Sequence, residues 1–212
     1  GDGELFLGAL VGMVVNDGNV IFEDGLVCGK NASVWLVDGD MSIGNDVDEN
    51  FSYESVTIID IAGNSELRIA GNLRRRFLTS AVDFRIKQNA LIEVMKSGAI
   101  TNSAERRGGF DFGEANSIFS MTGGRVVIMK PMELSPALEK DPDYIVSSAN
   151  YTVTGGTVQI GDEDSTFASV EPFNIISSVP FWNLDIANTY NEELTLGSNI
   201  MTIRNDLLVR DE

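Results

Sequence analysis

The chain has 212 residues, of which 43% are hydrophobic and 22% charged, a composition typical of a folded domain and not of a disordered segment. Its 32 acidic and 15 basic residues give a formal net charge of −17, which repels phosphate backbones and argues against a nucleic-acid partner. The sequence contains no histidine, which excludes Ser-His-Asp and Cys-His catalysis and histidine-based zinc sites. The remaining possibilities are chemistry that uses carboxylates, Lys and Arg side chains or Ca²⁺, or a protein that carries out no chemistry.

The single cysteine, Cys28, excludes a disulfide within the chain, and its apolar neighbours favour a buried side chain over a reactive thiol. The apolar run 5–15 is too short to cross a bilayer, so no transmembrane segment is predicted. The sequence starts at Gly1 without a methionine and stops within an apolar pattern at its other end. We therefore expect a segment of a longer polypeptide.

Stretches in which apolar and polar residues alternate predict β-strands along the whole chain, and helical periodicity is nearly absent. In chain order, the clearest of these stretches are Val34–Ile43, Val56–Ile61, Leu67–Leu73, Val82–Ile86, Tyr151–Ile160 and Leu194–Leu196. The sequence therefore predicts an all-β protein.

A short motif recurs, in which Asn is followed by alternating aliphatic residues and then by Gly. The copies begin at Asn31, Asn64, Asn89, Asn116 and Asn150. Spacings of roughly 25 to 34 residues are typical of solenoids, so we predict a right-handed parallel β-helix, with a β-sandwich as the alternative. We further expect Asn64, Asn89 and Asn116 to occupy equivalent corners, and Gly71, Gly98 and Gly123 to be equivalent after them.

Residues 1–212 are predicted to form a single β-helical segment without a second domain. Two stretches interrupt the pattern, and both are predicted as loop insertions: an acidic one near 44–55 and a proline-rich one near 131–146. Pro136 after Ser135 favours one short helical turn in the second insertion.

The acidic stretch that starts at Asp38 resembles a calcium loop more than any other part of the sequence. Oxygen ligands at Asp38, Asp40 and Ser42, with Glu49 eleven positions after Asp38, match the ligand spacing of an EF-hand. Ile43 stands where that loop needs Gly, and no predicted helix flanks it, so an outward-facing acidic corner is the favoured interpretation. Weakly bound Ca²⁺ is the one cofactor that the sequence allows, and no catalytic residue is predicted.

Arginine and aromatic residues supply the other candidates. The clusters 74–76 and 106–107 could neutralise an acidic sugar in a β-helical lyase, although solvated turn residues are the favoured interpretation. Phe181 and Trp182 could contact a glycan if they are exposed, whereas Trp35, within an alternating run, is expected in the core.

The C-terminal stretches Phe181–Asn188, Glu193–Ile203 and Asn205–Val209 resemble repeats of very large secreted surface proteins of Bacteroidetes, including gliding-motility adhesins exported by type IX secretion. The resemblance covers about thirty residues, and Asn205-Asp206 stands where that family usually has Asn-Gly. It implies β-helical repeats, export, and a place on the bacterial cell surface.

Together these observations predict a non-catalytic structural or adhesive segment of a bacterial cell-surface or secreted protein. Its partners would be a surface glycan, a protein, or neighbouring domains of the same long chain, which its corner loops would contact. The alternative is a carbohydrate-active β-helix enzyme, a polysaccharide lyase or hydrolase that uses carboxylates and Arg. An enzyme would bring these groups together in a groove, whereas a structural segment would disperse them.

Overall fold

The computed structural model describes residues 4–46, 49–55, 57–95, 99–100, 108–133, 142–161, 172–188, 194–197 and 200–211. Within these ranges the chain forms strands and turns and contains no helix, so the all-β prediction is confirmed. Consistent with this, no helix that could cross a membrane is found in the described ranges.

The strands fall into eight layers, numbered from the N-terminus, and each layer pairs with the layers before and after it. Layer 1 contains β1 (Leu5–Leu7), β2 (Gly12–Asn16) and β3 (Asn19–Phe22), and layer 2 contains β4 (Leu26–Cys28), β5 (Ser33–Val37) and β6 (Asp40–Ile43). Layer 3 contains β7 (Phe51–Tyr53), β8 (Thr57–Ala62) and β9 (Glu66–Ile69). Layer 4 contains β10 (Leu73–Arg75), β11 (Val82–Ile86) and β12 (Leu91–Val94), and the two-residue strand β13 (Ala99–Ile100) follows it.

Layers 5 to 8 have fewer and longer strands. Layer 5 contains β14 (Phe110–Phe112) and β15 (Ile118–Ile128), and the short strand β16 (Met132–Glu133) follows it. Layer 6 contains β17 (Tyr144–Val146) and β18 (Asn150–Ile160), and layer 7 contains β19 (Phe173–Ser177) and β20 (Phe181–Asn188). Layer 8 contains β21 (Leu194–Leu196) and β22 (Ile203–Asp211).

The first strand of every layer belongs to one eight-stranded sheet, and the following strands form a twelve-stranded sheet. The long strand β15 joins the two halves of the larger sheet, because its first half pairs with β11 and its second half with β12. Strands β13 and β16 form a separate two-stranded sheet. Every strand pairing in the described part of the chain is parallel. The alternative prediction, a β-sandwich, requires antiparallel sheets and is therefore wrong.

The layers stack in register, so that equivalent side chains form columns. Val34, Ile59, Phe84 and Phe119 align in successive layers and are each at most 2% exposed. The residues between them point outward, because successive side chains of a strand alternate between its two faces. Trp35 is one of these outward residues and is half-buried, so the prediction that it fills the core is wrong.

Aromatic rings fill the middle of the core. Phe84 and Phe112 lie 4.2 Å apart between ring centroids, and Phe110 stacks on Tyr144 at 5.3 Å. Tyr144 in turn lies 5.3 Å from Phe181, so the ring contacts continue from layer 4 to layer 7. Each such pair contributes about 0.5–1.5 kcal/mol beyond the apolar area that it buries.

The corners between strands hold a column of residues in the left-handed conformation. Asp17, Asp38 and Gly63 occupy equivalent positions in layers 1 to 3, with φ of 51°, 54° and 67°. Gly and short polar residues tolerate this region best, since their side chains clash least with the backbone there.

The predicted equivalence of the asparagines is partly confirmed. Asn64 and Asn89 stand at the same corner of layers 3 and 4, and Asn89 Nδ2 donates to Asn64 Oδ1 over 3.3 Å. Asn116 is not equivalent to them, because it precedes the first half of β15 and aligns with residue 81. Gly123 instead lies within β15 beside Gln88, so the predicted match of Gly123 with Gly71 is wrong, and Gly98 lies outside the described residues.

Both predicted insertions contain strands. Residues 51–53 form β7 and residues 144–146 form β17, and both belong to the eight-stranded sheet. Polar and proline-rich neighbours concealed them, since a strand of three residues is too short to show an alternation. The helical turn predicted after Ser135 lies outside the described residues.

Candidate functional site

The predicted calcium ligands accept hydrogen bonds from the backbone. Asp38 Oδ1 accepts from Asn64 N–H at 2.9 Å, and Asp40 Oδ1 accepts from Glu66 N–H at 3.0 Å. Both bonds run from one layer to the next, so these carboxylates join layers 2 and 3.

Glu49 uses its carboxylate within its own loop. Its Oε2 accepts from the backbone N–H groups of Asn45 and Asp46, the second at 2.8 Å, while Ser42 lies half-buried in β6. In the ranges that the structure describes, no three or more His, Cys, Asp or Glu side chains are placed to hold a metal ion. Calcium binding therefore stays a prediction that the arrangement of the described carboxylates does not support.

The two aromatic candidates differ in burial. Phe181 is 2% exposed and contacts Tyr144 in the core, so the exposure that its role in ligand contact requires is not present. Trp182 is half-buried and packs against the edge of the core. Of the two, Trp182 alone keeps an accessible surface.

The arginine cluster 74–76 does not form a common surface. Arg75 is buried, and its Nε lies 2.8 Å from Asp111 Oδ1. Burial raises the pKa of the Asp111 carboxyl more than the neighbouring Arg75 lowers it. Arg76 pairs with Glu54 at 3.1 Å, and the cluster 106–107 lies outside the described residues. Arg75 is therefore a structural residue.

Cys28 is fully buried, as predicted, and burial raises the pKa of its thiol to about 12. The thiol therefore stays protonated near neutral pH, when a thiolate is the form that reacts.

Charged side chains on the outer sheet surface pair with one another across layers. Asp185 accepts from Arg125 Nη2 at 2.8 Å and from Arg210 Nη2 at 2.6 Å. Asp60 lies 2.8 Å from Lys87 Nζ. Further pairs join Arg68 to Glu66 and Glu93, and Arg85 to Asp83. The acids and bases on these surfaces therefore neutralise each other.

A cleft lies near the C-terminal end of the stack, on one side of layers 6 to 8. It is lined by Tyr151, Ser178, Val179, Pro180, Ile200, Thr202 and Arg204. Arg204 Nη1 donates to the Val153 carbonyl at 2.8 Å, and its guanidinium carbon lies 5.9 Å from the centre of the Tyr151 ring. Arg204 is the one lining residue that carries a charge at neutral pH, so the cleft offers a single cation and several hydroxyl groups.

The cleft exists because layer 7 is shorter than layer 6. Val146 aligns with Ser177, and Thr157 aligns with Asn183. Ten residues, 147–156, join the first two positions in layer 6, whereas five residues, 178–182, join them in layer 7. The shorter connection passes over the first half of β18 without covering its edge.

Sequence reasoning did not predict this cleft. Tyr151 stood within a predicted strand, and the resemblance in the C-terminal repeats did not single out Arg204. A signal existed in the change of repeat length, but the number of residues between corners can be read only when the strand register is known.

Comparisons with known proteins returned no relative: no known protein family, curated protein or solved structure matches the chain. The resemblance to surface proteins of Bacteroidetes therefore stays a prediction, carried by the C-terminal repeats alone.

Proposed function

We propose that the chain is a right-handed parallel β-helix and serves as a structural and adhesive segment of a bacterial cell-surface or secreted protein. Eight layers of parallel strands in register around one core support the architecture. The short connections between strands would place each corner loop directly above the previous one, and so present a continuous row of loops to a partner.

The pairing of outer charges is the observation that carries the non-catalytic role. A lyase or hydrolase needs acids and bases that converge around a bound sugar. Asp185 is instead held between Arg125 and Arg210, and Asp60 faces Lys87, on open sheet surfaces. The cleft contains Arg204 but no acid among its lining residues. This arrangement favours cohesion between layers over proton transfer.

A binding and turnover assay on the 212-residue chain tests the proposal. The chain would be immobilised and offered acidic and neutral bacterial polysaccharides, with binding recorded by biolayer interferometry. The same mixtures would be assayed for new reducing ends and for the absorbance of unsaturated uronates. We expect retention of a surface polymer without release of product, and no binding after thermal unfolding of the chain.

Release of product would overturn the proposal and favour the enzyme. In that case Asp185→Asn and Arg204→Gln would identify the responsible surface, because the first changes the outer charge pairs and the second changes the cleft.

A further inference from the structure

We propose that the cleft binds an extended acidic peptide of a partner protein, which pairs as an added strand with the free edge of β18 and places a carboxylate against Arg204. This would be one binding site of the adhesive segment, and in that respect the inference rests on the proposed function.

The free edge is the first observation. Strand β18 pairs with β15 from Asn150 to Ile160, with register shifts around Gly155, but with β20 only from Thr157 to Ile160. In the part of the chain that the structure describes, residues 150–154 have no strand partner on the side of layer 7. Unpaired strand edges of this kind bind extended segments through main-chain hydrogen bonds.

The direction of the free groups follows from one hydrogen bond. The Val153 carbonyl receives Arg204 Nη1 from layer 8, so it points away from β15 and into the cleft. Both backbone groups of a strand residue point to the same side, and the side alternates along the strand. The N–H groups of Tyr151 and Val153 and the carbonyl of Tyr151 therefore face the cleft.

The position of Arg204 is set by an irregularity in β22. Phe181 aligns with Ile203 and Asn183 with Asp206, so Trp182 on β20 stands opposite two residues, Arg204 and Asn205. Such a bulge redirects a side chain, and here it directs Arg204 across layer 7 onto layer 6.

The charge of Arg204 is the second observation. Several other arginines in the described ranges form ion pairs within the chain, namely Arg68, Arg75, Arg76, Arg85, Arg125 and Arg210. No described carboxylate pairs with Arg204, although the chain as a whole has a net charge of −17. Its guanidinium has five N–H donors and uses one of them on Val153. The remaining donors suit a carboxylate, which forms charge-assisted hydrogen bonds with guanidinium groups.

The aromatic wall favours a peptide over an acidic sugar. Tyr151 is 41% exposed as a residue, but one face of its ring already lies under the Arg204 guanidinium. A sugar would need that face for stacking, whereas an added strand needs the backbone edge beside it. Val179 and Pro180 are buried beneath the cleft and Ile200 is 91% exposed, so apolar side chains of the peptide would have partners on both sides.

Backbone NMR of the 212-residue chain, titrated with a short peptide, tests the inference. The probe is acetyl-Thr-Val-Glu-Val-Thr-amide, and its matched control carries Gln in place of Glu. A third peptide is N-methylated at alternate residues and cannot pair with a strand edge. We expect the Glu peptide to shift the amide signals of Tyr151 and Val153, the Gln peptide to bind more weakly, and the N-methylated peptide to cause no shift.

Two variants separate the charge from the edge. Arg204→Gln should weaken binding of the Glu peptide about threefold to tenfold and leave the Gln peptide unaffected, the range expected for a partly exposed ion pair. Arg85→Gln is the matched control, because Arg85 lies on another surface and already pairs with Asp83, and it should change nothing.

The inference is overturned if millimolar Glu peptide causes no shift at Tyr151 and Val153, if the Glu and Gln peptides bind equally, or if shifts appear along β22 instead. It is also overturned if an acidic oligogalacturonate shifts these amides and the peptides do not. The polysaccharide assay is independent of these results, so failure of the peptide site and failure of the adhesive function can be told apart.

Discussion

At the scale of single residues, Asp111 shows how burial and pairing oppose each other. Its side chain is fully buried, pairs with Arg75, and accepts from the backbone N–H groups of Gly108 at 3.1 Å and Gly113 at 2.9 Å. Burial nevertheless raises its pKa above the ordinary value of 3.8. The folded state therefore favours the protonated form of this side chain more than the unfolded chain does, because desolvation disfavours the charged form.

This pKa shift predicts a pH dependence with a definite sign. A raised pKa in the folded state stabilises the protein below the unfolded pKa, and this stabilisation is lost as pH rises through the folded pKa. Asp111→Asn cannot ionise and will not show the loss. We therefore expect its free energy of unfolding, relative to the original protein, to increase as the pH rises above about 4, the ordinary pKa of an Asp side chain.

Urea unfolding at several pH values measures this difference in the free energy of unfolding. Replacing one carboxylate oxygen by an amide group has its own energetic cost, but that cost is independent of pH. It therefore does not change the slope of the difference against pH. Arg75→Met serves as a second variant: since Arg75 lowers the pKa of Asp111, its removal should extend the loss of stability to higher pH. A difference that is independent of pH would contradict the prediction.

Gly161 provides a second prediction at this scale. Its φ is +86°, and a Cβ there would collide with the carbonyl oxygen of Ala187 in the next layer. Gly161→Ala should therefore lower the free energy of unfolding by at least about 2 kcal/mol, since the left-handed region alone costs 1–2 kcal/mol. Gly8→Ala is the control, because no atom lies within 4 Å of the added Cβ, and it should change stability by less than about 0.5 kcal/mol. Equal effects in thermal melts of the two variants would show that the backbone near Gly161 can adjust.

At the scale of elements, the pairing of β22, the last strand of the stack, with β20 is stabilised by one carboxylate. Asp185 on β20 is 5% exposed in its side chain and binds both Arg125 and Arg210. Asp185→Asn would leave two cations without their shared anion, which predicts a loss of about 1–3 kcal/mol, concentrated in the pairing of β22 with β20.

Hydrogen exchange of the amides of residues 207–210 measures this local loss. In the Asp185→Asn variant, these amides should exchange faster than the amides of β15. Asp83→Asn is the matched control, because Asp83 pairs with the more exposed Arg85, and such pairs contribute less than about 1 kcal/mol. Unchanged exchange in β22 would mean that backbone pairing alone holds this strand.

At the scale of the whole molecule, apolar side chains are exposed at both ends of the stack of described strands. Leu207 and Val209 align with the inward-facing Leu184 and Ile186 of β20, yet they are 54% and 61% exposed. In the described part of the chain, β22 pairs with β20 alone. At the other end, Leu5 aligns with the buried Leu26 of β4 and is 45% exposed. Apolar strand edges of this kind bind other strands, since their backbone groups and core side chains lack partners.

We therefore expect the 212-residue chain to associate through its last layer, in a way that light scattering will show to depend on concentration. Val209→Lys should reduce the association, because a lysine on an open edge disfavours pairing with another strand. Val37→Lys is the control, since Val37 is 40% exposed on β5, which has partners on both sides. A monomer at all concentrations, with protected amides through Val209, would contradict this expectation.

The alternation of apolar residues was enough to predict the all-β class, because a strand of five or six residues shows its period of two directly in the sequence. It did not determine the inward face of every strand: Trp35 was expected in the core, whereas its neighbour Val34 is the buried residue. The polar corners at Asn64 and Asn89 followed from the same pattern, because the spacing between these copies is not interrupted by an insertion.

Strand register could not be obtained this way, and it decides which layers align. Asn116 carries the same motif as Asn89 but stands at another corner, because β15 continues through the turn that separates β11 from β12. The outward position of Trp35 and the burial of Arg75 likewise depend on what the neighbouring layers place beside them.

The sequence by itself thus determined the strand class and the burial of Cys28, since each depends on residues that are neighbours in the chain. Only the tertiary structure decided the cleft, where Arg204 reaches Val153 from a position 51 residues further along the chain. That contact depends on layer 7 being five residues shorter than layer 6 between aligned positions. The shorter connection in layer 7 leaves residues of other layers uncovered. Which residues these are depends on the strand register, and a pattern of neighbouring residues in the sequence does not show it.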